Sequence, residues 1–166
     1  VDDVLEFMDK SCDQPAFKVY EHHTRWVWHC QELRNQHPPG ECQKIKFPLD
    51  SDGINSYDFI QELSASLDEE AIIVTDVGFC FIPAFQSMRL KRGQRLIHSG
   101  GVSPMGWGIP AAIGAAMATG RHVVCLTGDG GAMMNIQELQ TIAHHQLPIT
   151  IFVFDNNGYA TMQIAQ

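Results

Sequence analysis

The 166-residue sequence contains no long apolar run, no paired-cysteine motif and no surplus of basic charge. No apolar stretch approaches the roughly 18 residues that a membrane-spanning helix needs, since even the segment 109–118 is short and interrupted by glycine. The chain begins Val-Asp-Asp, which has neither the basic start nor the apolar core of a signal peptide, and a start without Met favours a fragment of a longer protein. We therefore expect a soluble, cytoplasmic protein that does not bind membranes.

The five cysteines are odd in number, widely spaced and without a Cys-x-x-Cys pair, so free thiols in a reducing compartment are expected rather than disulfides. The formal net charge is −8, which argues against nucleic acid as the main partner. Charged side chains are scarce after residue 70, where only 9 of 96 residues are Asp, Glu, Lys or Arg. This scarcity predicts that the second part of the chain is heavily buried.

Residues 1–50 and 51–166 differ in pattern. The first part has one predicted helix, from Phe17 to Arg34, and a Pro-Pro-Gly break, and we expect it to be a linker or tail from an upstream domain. In the second part, helices alternate with continuous apolar strands, which is typical of a parallel sheet covered on both faces. The predicted fold is α/β, a three-layer sandwich with a mostly parallel central sheet and helices on both faces. The predicted strands are 71–75, 95–98, 122–127 and 149–154, and the predicted helices are 57–67, 81–88, 109–119 and 135–146.

Two glycine-containing motifs each follow a predicted strand: Gly-Asp-Gly at 128–130 and Asn-Asn-Gly at 156–158. Asp129 and Asn156 are 27 residues apart, about one β-α-β unit, so we expect neighbouring strands whose carboxyl ends share one edge. An aspartate, an asparagine amide oxygen and the carbonyl of Gly158 are ligands suited to Mg²⁺. Gly130 and Gly131 leave backbone N–H groups free for phosphate, and a helix starting near residue 135 would add its positive end. Taken alone, either motif is better interpreted as a tight turn, but the two together predict a cation and diphosphate site.

At this point the sequence resembles a known family. The segment GDGGAMMNIQELQTIAHHQLPITIFVFDNNGY resembles the thiamine-diphosphate motif, and SGGVSPMGWGIPAAIGAA resembles the acetolactate synthase branch of that superfamily. The segment VTDVG at 74–78 matches a third part of the same domain. The resemblance runs from about residue 54 to 166. It implies that 51–166 is a thiamine-diphosphate-binding domain, incomplete at its C-terminus because the family domain continues beyond NNGY.

The resemblance also implies roles for individual residues. Asp129, Asn156 and the Gly158 carbonyl would bind Mg²⁺, and backbone N–H groups of the glycine turn would bind the diphosphate. The Met105 side chain would hold the coenzyme in its bent form, and the Ser103 carbonyl and Met105 N–H would hydrogen-bond the aminopyrimidine. The bend would place the coenzyme's own 4'-amino group beside the thiazolium C2 that it deprotonates. The whole implied cofactor-binding set is Ser103, Met105, Gly128, Asp129, Gly130, Gly131, Asn156, Gly158 and Tyr159.

The activity implied by the resemblance is decarboxylation of pyruvate or another 2-keto acid, followed by transfer of the two-carbon unit to a carbonyl acceptor. The family's activating glutamate belongs to the pyrimidine-binding domain of a partner subunit, so no catalytic residue is expected here and the isolated chain should be inactive. The full-length protein is expected to be a homodimer or homotetramer. The acceptor and any need for FAD stay open. One departure is Phe79, Cys80 and Phe81, where acetolactate synthases usually have a polar residue after DVG.

Several other interpretations compete with this one. A non-catalytic binding or assembly module could retain the same fold. Gly106, Gly108 and Ala111 fit the dinucleotide pattern G-x-G-x-x-A, with Asp129 at 21 residues beyond Gly108, but they follow a loop containing proline rather than a strand. A calcium loop at 50–53 would need Gly at 55 and Glu at 61, where the sequence has Asn and Gln. A zinc site would need the irregularly spaced His22, His23, His29, Cys30, His37 and Cys42. His144 and His145 are expected only to complement a helix end.

Overall fold

The computed structural model describes residues 19–37, 53–159 and 162–163. The chain divides into two units, Val1–Phe47 and Pro48–Gln166. The described part of the first unit is helix α1 (Val19–Gln36), whose Trp26 and Trp28 are both exposed. The calcium-loop positions Asp50 and Asp52, and Cys42 of the histidine and cysteine set, lie outside the described residues.

The second unit alternates helices and strands as the sequence predicts. Its α2 begins at an Asn55 cap, whose side-chain oxygen accepts the Tyr57 N–H at 2.8 Å. The elements are α2 (Ser56–Ser66), β1 (Ile72–Thr75), α3 (Phe81–Ser87), β2 (Arg95–His98), α4 (Gly108–Thr119), β3 (Val123–Gly128), α5 (Asp129–Met134), α6 (Glu138–His144) and β4 (Ile149–Phe154).

The four strands form one sheet in the order β2-β1-β3-β4, and every pairing is parallel. In β3 and β4 the register pairs Val123 with Ile149 and Gly128 with Phe154. The strands that end in the two glycine motifs are therefore neighbours and end level with each other. This confirms the expectation drawn from their spacing.

Two apolar cores cover the two faces of the sheet, because alternate residues of β1 and β3 point to opposite sides. One face packs Ile73, Val124 and Leu126 against α2 and α3. The other packs Ile72, Val74, Val123 and Cys125 against α4, with Ile142 of α6 at its border. Helices on both faces of an all-parallel sheet confirm the predicted α/β three-layer fold.

The helix predicted from 135 to 146 is wrong at its start. Helix α5 begins at Asp129 directly after β3 and ends at Met134, and α6 begins only at Glu138. Asn135 leaves the helical region with φ −134° and ψ 32°, and its side chain donates to the Gly106 carbonyl at 2.6 Å. That long-range bond lies between the two helices, so the predicted helix begins later, at Glu138, and the helix that begins at the glycine turn is α5.

None of the helices within the described ranges is both long and apolar enough to cross a membrane.

Candidate functional site

The candidate site lies where the order of the sheet reverses. Strands β1 and β3 are neighbours although β2 lies between them in sequence, so the chain leaves β1 toward one edge and leaves β3 toward the other. In open α/β sheets such a switch point forms a crevice beyond the carboxyl ends of the strands, and ligands bind there. Asp76 directly follows β1, and Gly128 ends β3. Both residues therefore stand at the crevice.

The carboxyl group of Asp76 is the buried centre of this region, with 1% of the residue exposed. Its Oδ1 accepts the Val77 N–H at 2.9 Å, and its Oδ2 accepts the N–H groups of Gly106 at 3.1 Å and Gly108 at 3.3 Å. The Thr127 hydroxyl lies 3.2 Å from the same Oδ2. One side chain thus joins the end of β1, the end of β3 and the loop that leads into α4.

The bonds to Asp76 explain the dinucleotide-like glycines. Gly106 has φ +80°, and a Cβ there would lie 2.8 Å from the Met134 Cβ. A Cβ on Gly108 would lie 3.0 Å from the Asp76 Cβ. Close backbone approach therefore requires glycine at both positions, and their N–H groups bond a protein carboxyl group instead of a nucleotide. The packing around Asp76 accounts for these glycines, which argues against nicotinamide binding.

The three glycines around Asp129 have different surroundings. A Cβ on Gly128 would meet nothing within 4 Å, so the backbone there faces open space. On Gly130 it would lie 2.7 Å from Cε1 of the Tyr159 ring, and on Gly131 it would lie 2.8 Å from Asp76 Oδ2. The Gly130 N–H is donated to Asp129 Oδ1 at 2.8 Å. The turn is therefore open on one side and packed against Tyr159 and Asp76 on the others.

The Asn-Asn-Gly segment forms a left-handed turn after β4. Asn157, Gly158 and Tyr159 have φ of 62°, 96° and 43°, and Asp155 Oδ1 accepts the Asn157 N–H at 3.1 Å. Asn156 is exposed, whereas Asp129 is half-buried. The Gly158 carbonyl accepts the Gln163 side-chain amide at 2.7 Å. The Tyr159 ring, packed on Gly130, joins this turn to the glycine turn after β3.

Ser103 and Met105 lie in the loop between β2 and α4, and both are exposed. Ser103 has φ +53°, and its N–H is donated to the Ser99 carbonyl at 2.8 Å. The end of this loop at Gly106 is fixed from both sides, because its N–H bonds Asp76 and its carbonyl accepts from Asn135. The loop that carries both predicted residues is thereby tied to β1 and to the segment after β3.

The segment after β1 presents apolar side chains and a buried thiol. Cys80 Sγ donates to the Val77 carbonyl at 3.2 Å, and burial, with a smaller contribution from Asp76, raises the Cys80 pKa to about 12. The Phe81 ring packs on Phe85 and His98 at 5.7 and 5.3 Å between centroids. Burial likewise raises the pKa of Cys125 to about 12. Neither thiol is suited to ligate a metal or to act as a nucleophile near neutral pH.

Among the described residues, no group of three or more His, Cys, Asp or Glu could hold a metal ion. A cation near Asp129 would therefore need amide and carbonyl oxygens as well as this single carboxylate. At the end of α6, the centroids of the His144 and His145 rings are 4.9 Å apart.

The sequence pattern places Asp76 after a strand at the edge of the two motifs but predicts no bonding role for it, and it gives no role to Thr127 or to the Asn135 side chain. Asp76 had a recognisable signal, since it is a carboxyl residue directly after a continuously buried strand. Thr127 and Asn135 had none, because their partners lie 51 and 29 residues away in sequence.

The fold and the site together define a class. A parallel α/β sheet with a glycine turn at its switch point, and a second polar turn at the next strand end, is typical of domains that bind phosphate-containing coenzymes.

Comparison with known proteins makes the class specific. The family model described as "Thiamine pyrophosphate enzyme, C-terminal TPP binding domain" matches residues 76–166. The acetolactate synthase isozyme 1 large subunit of Escherichia coli K12 is 36% identical over 161 residues, which are 95% of this chain and 26% of that protein. Acetolactate synthase 2, chloroplastic, of Brassica napus is 42% identical over 119 residues, 69% of this chain and 19% of that protein. The probable acetolactate synthase large subunit of Methanococcus aeolicus is 34% identical over 142 residues, which are 82% of this chain and 23% of that protein.

The chain therefore belongs to the family of thiamine pyrophosphate enzymes and contains their C-terminal TPP-binding domain. It spans about a quarter or less of the length of these relatives.

Proposed function

We propose that this chain is the coenzyme-binding part of a thiamine-diphosphate-dependent enzyme of acetolactate synthase type, which decarboxylates a 2-keto acid and transfers the two-carbon unit to a carbonyl acceptor. The observation that carries the proposal is the parallel pairing of β3 and β4, in which Gly128 and Phe154 are in register. This register brings Gly-Asp-Gly and Asn-Asn-Gly to adjacent strand ends. A diphosphate and its cation need oxygen ligands and free N–H groups gathered in this way.

The donor set fits a hard cation. Asp129 would supply one carboxylate oxygen, Asn156 an amide oxygen and Gly158 its carbonyl, and Mg²⁺ accepts such oxygens together with water and phosphate oxygens. The Gln163 amide already bonds the Gly158 carbonyl, but a carbonyl oxygen has two lone pairs and retains one for a ligand. The open space in front of Gly128 leaves room for a phosphate group.

Other residues would hold the coenzyme's remaining parts. Backbone N–H groups of Gly130 and Gly131, in the first turn of α5, would face the diphosphate. The Gly130 N–H, which is donated to Asp129 Oδ1 in this structure, would exchange that bond for a phosphate oxygen. Tyr159 would cover the turn from the side of β4. The Ser103 carbonyl and the Met105 N–H would hydrogen-bond the aminopyrimidine ring, and the Met105 side chain would hold the coenzyme in its bent form. When bound, thiamine diphosphate supplies the thiazolium carbon that adds to the keto group and takes up the electrons released with CO₂. The chain's own contribution is to bind and orient.

The substrate and partner proposals rest on the relatives' names and on the family resemblance. We propose pyruvate as the 2-keto acid, a pyrimidine-binding domain of a partner subunit as the source of the activating glutamate, and a homodimer or homotetramer in the cytoplasm as the active form. In such an assembly the exposed Met105 and Tyr159 would be covered by coenzyme or partner.

Calorimetric titration of the whole chain with thiamine diphosphate tests the proposal. We expect binding that requires Mg²⁺ and is lost in Asp129→Ala. The matched control is Asp68→Ala, which removes an exposed carboxylate ahead of β1 and should leave binding unchanged. Absence of binding even with the pyrimidine-binding domain supplied would contradict the proposal and favour a non-catalytic module. Binding of NADH that survives Asn156→Ala would contradict it in favour of an oxidoreductase.

A further inference from the structure

We propose that Asp76 is a positioning residue that fixes the loop carrying Ser103 and Met105 at a set distance from the glycine turn 128–131, so that the two ends of one coenzyme can be held together. This proposal rests on the proposed function, because it assigns the loop and the turn to opposite ends of thiamine diphosphate. Asp76 is 1% exposed, so it acts through the segments that it bonds rather than by touching the ligand.

The bonds of Asp76 go to the two segments that must be aligned. On one side its Oδ2 accepts the N–H groups of Gly106 and Gly108, which flank Trp107 at the end of the loop. On the other side the same oxygen lies 3.2 Å from the Thr127 hydroxyl, and a Cβ on Gly131 would lie only 2.8 Å from it. This one oxygen therefore contacts both the loop and the turn, and the Asn135 side chain adds a second link from Gly106 to the segment after the turn.

A carboxyl group of this length accepts every N–H group that faces it, and the Thr127 hydroxyl lies 3.2 Å from both Asp76 Oδ2 and the Gly128 carbonyl. Oδ1 faces one N–H, and Oδ2 faces two N–H groups and a hydroxyl. An asparagine has the same size, but its NH₂ group would face at least one N–H donor in either orientation. A glutamate would be too long, since the Gly108 and Gly131 backbones already lie in contact with the Asp76 side chain.

The glycine turn has supports that do not depend on Asp76. Its start is the last residue of β3, which is paired with Phe154 of β4. The Gly130 N–H bonds Asp129, and the Tyr159 ring packs on Gly130. The loop has local bonds to Ser99 and His98, but its far end at Gly106 is tied to the rest of the fold by Asp76 and Asn135. Loss of Asp76 should therefore displace the loop more than the turn.

This difference gives a test that separates positioning from general destabilisation. The whole chain with Mg²⁺ is titrated with thiamine diphosphate, which needs both loop and turn, and separately with inorganic pyrophosphate, which needs only the turn. For Asp76→Asn we expect affinity for thiamine diphosphate to fall about tenfold or more, while affinity for pyrophosphate changes less than about twofold. Thr127→Val keeps the carboxyl group and removes one donor. It should lower the affinity for thiamine diphosphate less than Asp76→Asn does, again with little change in the affinity for pyrophosphate.

Trp107 provides a spectroscopic signature that does not depend on ligand binding. In a Trp26→Phe/Trp28→Phe background it is the remaining tryptophan, and it is half-buried against the core beneath α4. Asp76→Asn should shift its emission to longer wavelength while the far-ultraviolet circular dichroism stays unchanged. Ser64→Ala is the control, since it removes a buried hydroxyl that bonds the Arg89 backbone and should change neither signal.

Equal weakening of both ligands by Asp76→Asn, or of neither, would overturn the positioning role. An unshifted Trp107 spectrum would also overturn it. A wild-type chain that binds neither ligand would instead contradict the proposed function, so the two failures are distinguishable.

Discussion

Alanine substitutions at the three glycines of the 128–131 turn should differ sharply in their effect on stability, although the glycines are close in sequence. Gly131→Ala is expected to be the most damaging. Its methyl group would lie 2.8 Å from Asp76 Oδ2 and 3.0 Å from Thr127 Oγ1, and both residues are almost fully buried. Overpacking costs about 1–3 kcal/mol, and a disturbed buried hydrogen bond adds about 1–3 kcal/mol.

Both Gly130 and Gly131 lie in α5, so alanine at either position also gains about 0.5–1 kcal/mol of helix propensity. The net loss for Gly131→Ala is then about 1–5 kcal/mol. For Gly130→Ala the obstacle is the ring of Tyr159, which is half exposed and can move, so the net loss is about 0–1 kcal/mol. Gly128→Ala meets nothing and should stay within about 0.5 kcal/mol of the wild type.

Urea unfolding followed by circular dichroism measures this series. The double variant Gly130→Ala/Tyr159→Ala should be more stable than Tyr159→Ala alone, because the clash is gone and the propensity gain remains. Equal stability of the Gly130 and Gly131 variants, or a larger loss at Gly128, would refute the packing described for the turn.

Three further predictions concern other parts of the fold. Mapping of alkylation at pH 8 should find Cys30 modified, because it is exposed, and Cys80 and Cys125 protected until urea is added. Burial raises the pKa of both buried thiols from 9.0 to about 12. The unfolded chain therefore loses these protons first, and the free energy of unfolding should fall as pH rises from 9 to 12. A Cys80→Ala/Cys125→Ala variant should lose less stability over this range, and the same dependence on pH in both proteins would contradict this account. Phe59→Ala should lower the free energy of unfolding by about 2–3 kcal/mol, since its ring packs edge-on against Phe152 and Phe154. Phe59→Leu should lose less stability. A loss below about 1 kcal/mol for Phe59→Ala in urea unfolding would show that the aromatic cluster contributes little.

Local sequence patterns were sufficient to predict the sheet and its two covered faces. Strands β1 and β3 are buried at every position except Gly128, because both sides of an inner parallel strand are covered, whereas the edge strand β4 is only partly buried. The spacing between Asp129 and Asn156 was likewise sufficient to predict that their strands are neighbours, since one β-α-β unit has a restricted length.

The internal bonding of the site could not be predicted from local patterns. Helix α5 begins within the glycine turn and ends at Asn135 because the Asn135 side chain bonds Gly106, which is 29 residues away. The role of Asp76 depends on the loop 99–107 folding back over the end of β1. Such contacts form only once the sheet has folded, and the two partners of each bond are too far apart in sequence for a local pattern to predict them.

The position of a bound divalent cation tests the central claim most directly. Crystals of the whole chain grown with Mn²⁺ and thiamine diphosphate should give an anomalous peak about 2.1 Å from oxygens of Asp129, Asn156 and the Gly158 carbonyl, with the diphosphate beside the glycine turn. A peak elsewhere, or a diphosphate bound away from the ends of β3 and β4, would contradict the claim that these two turns form the coenzyme site.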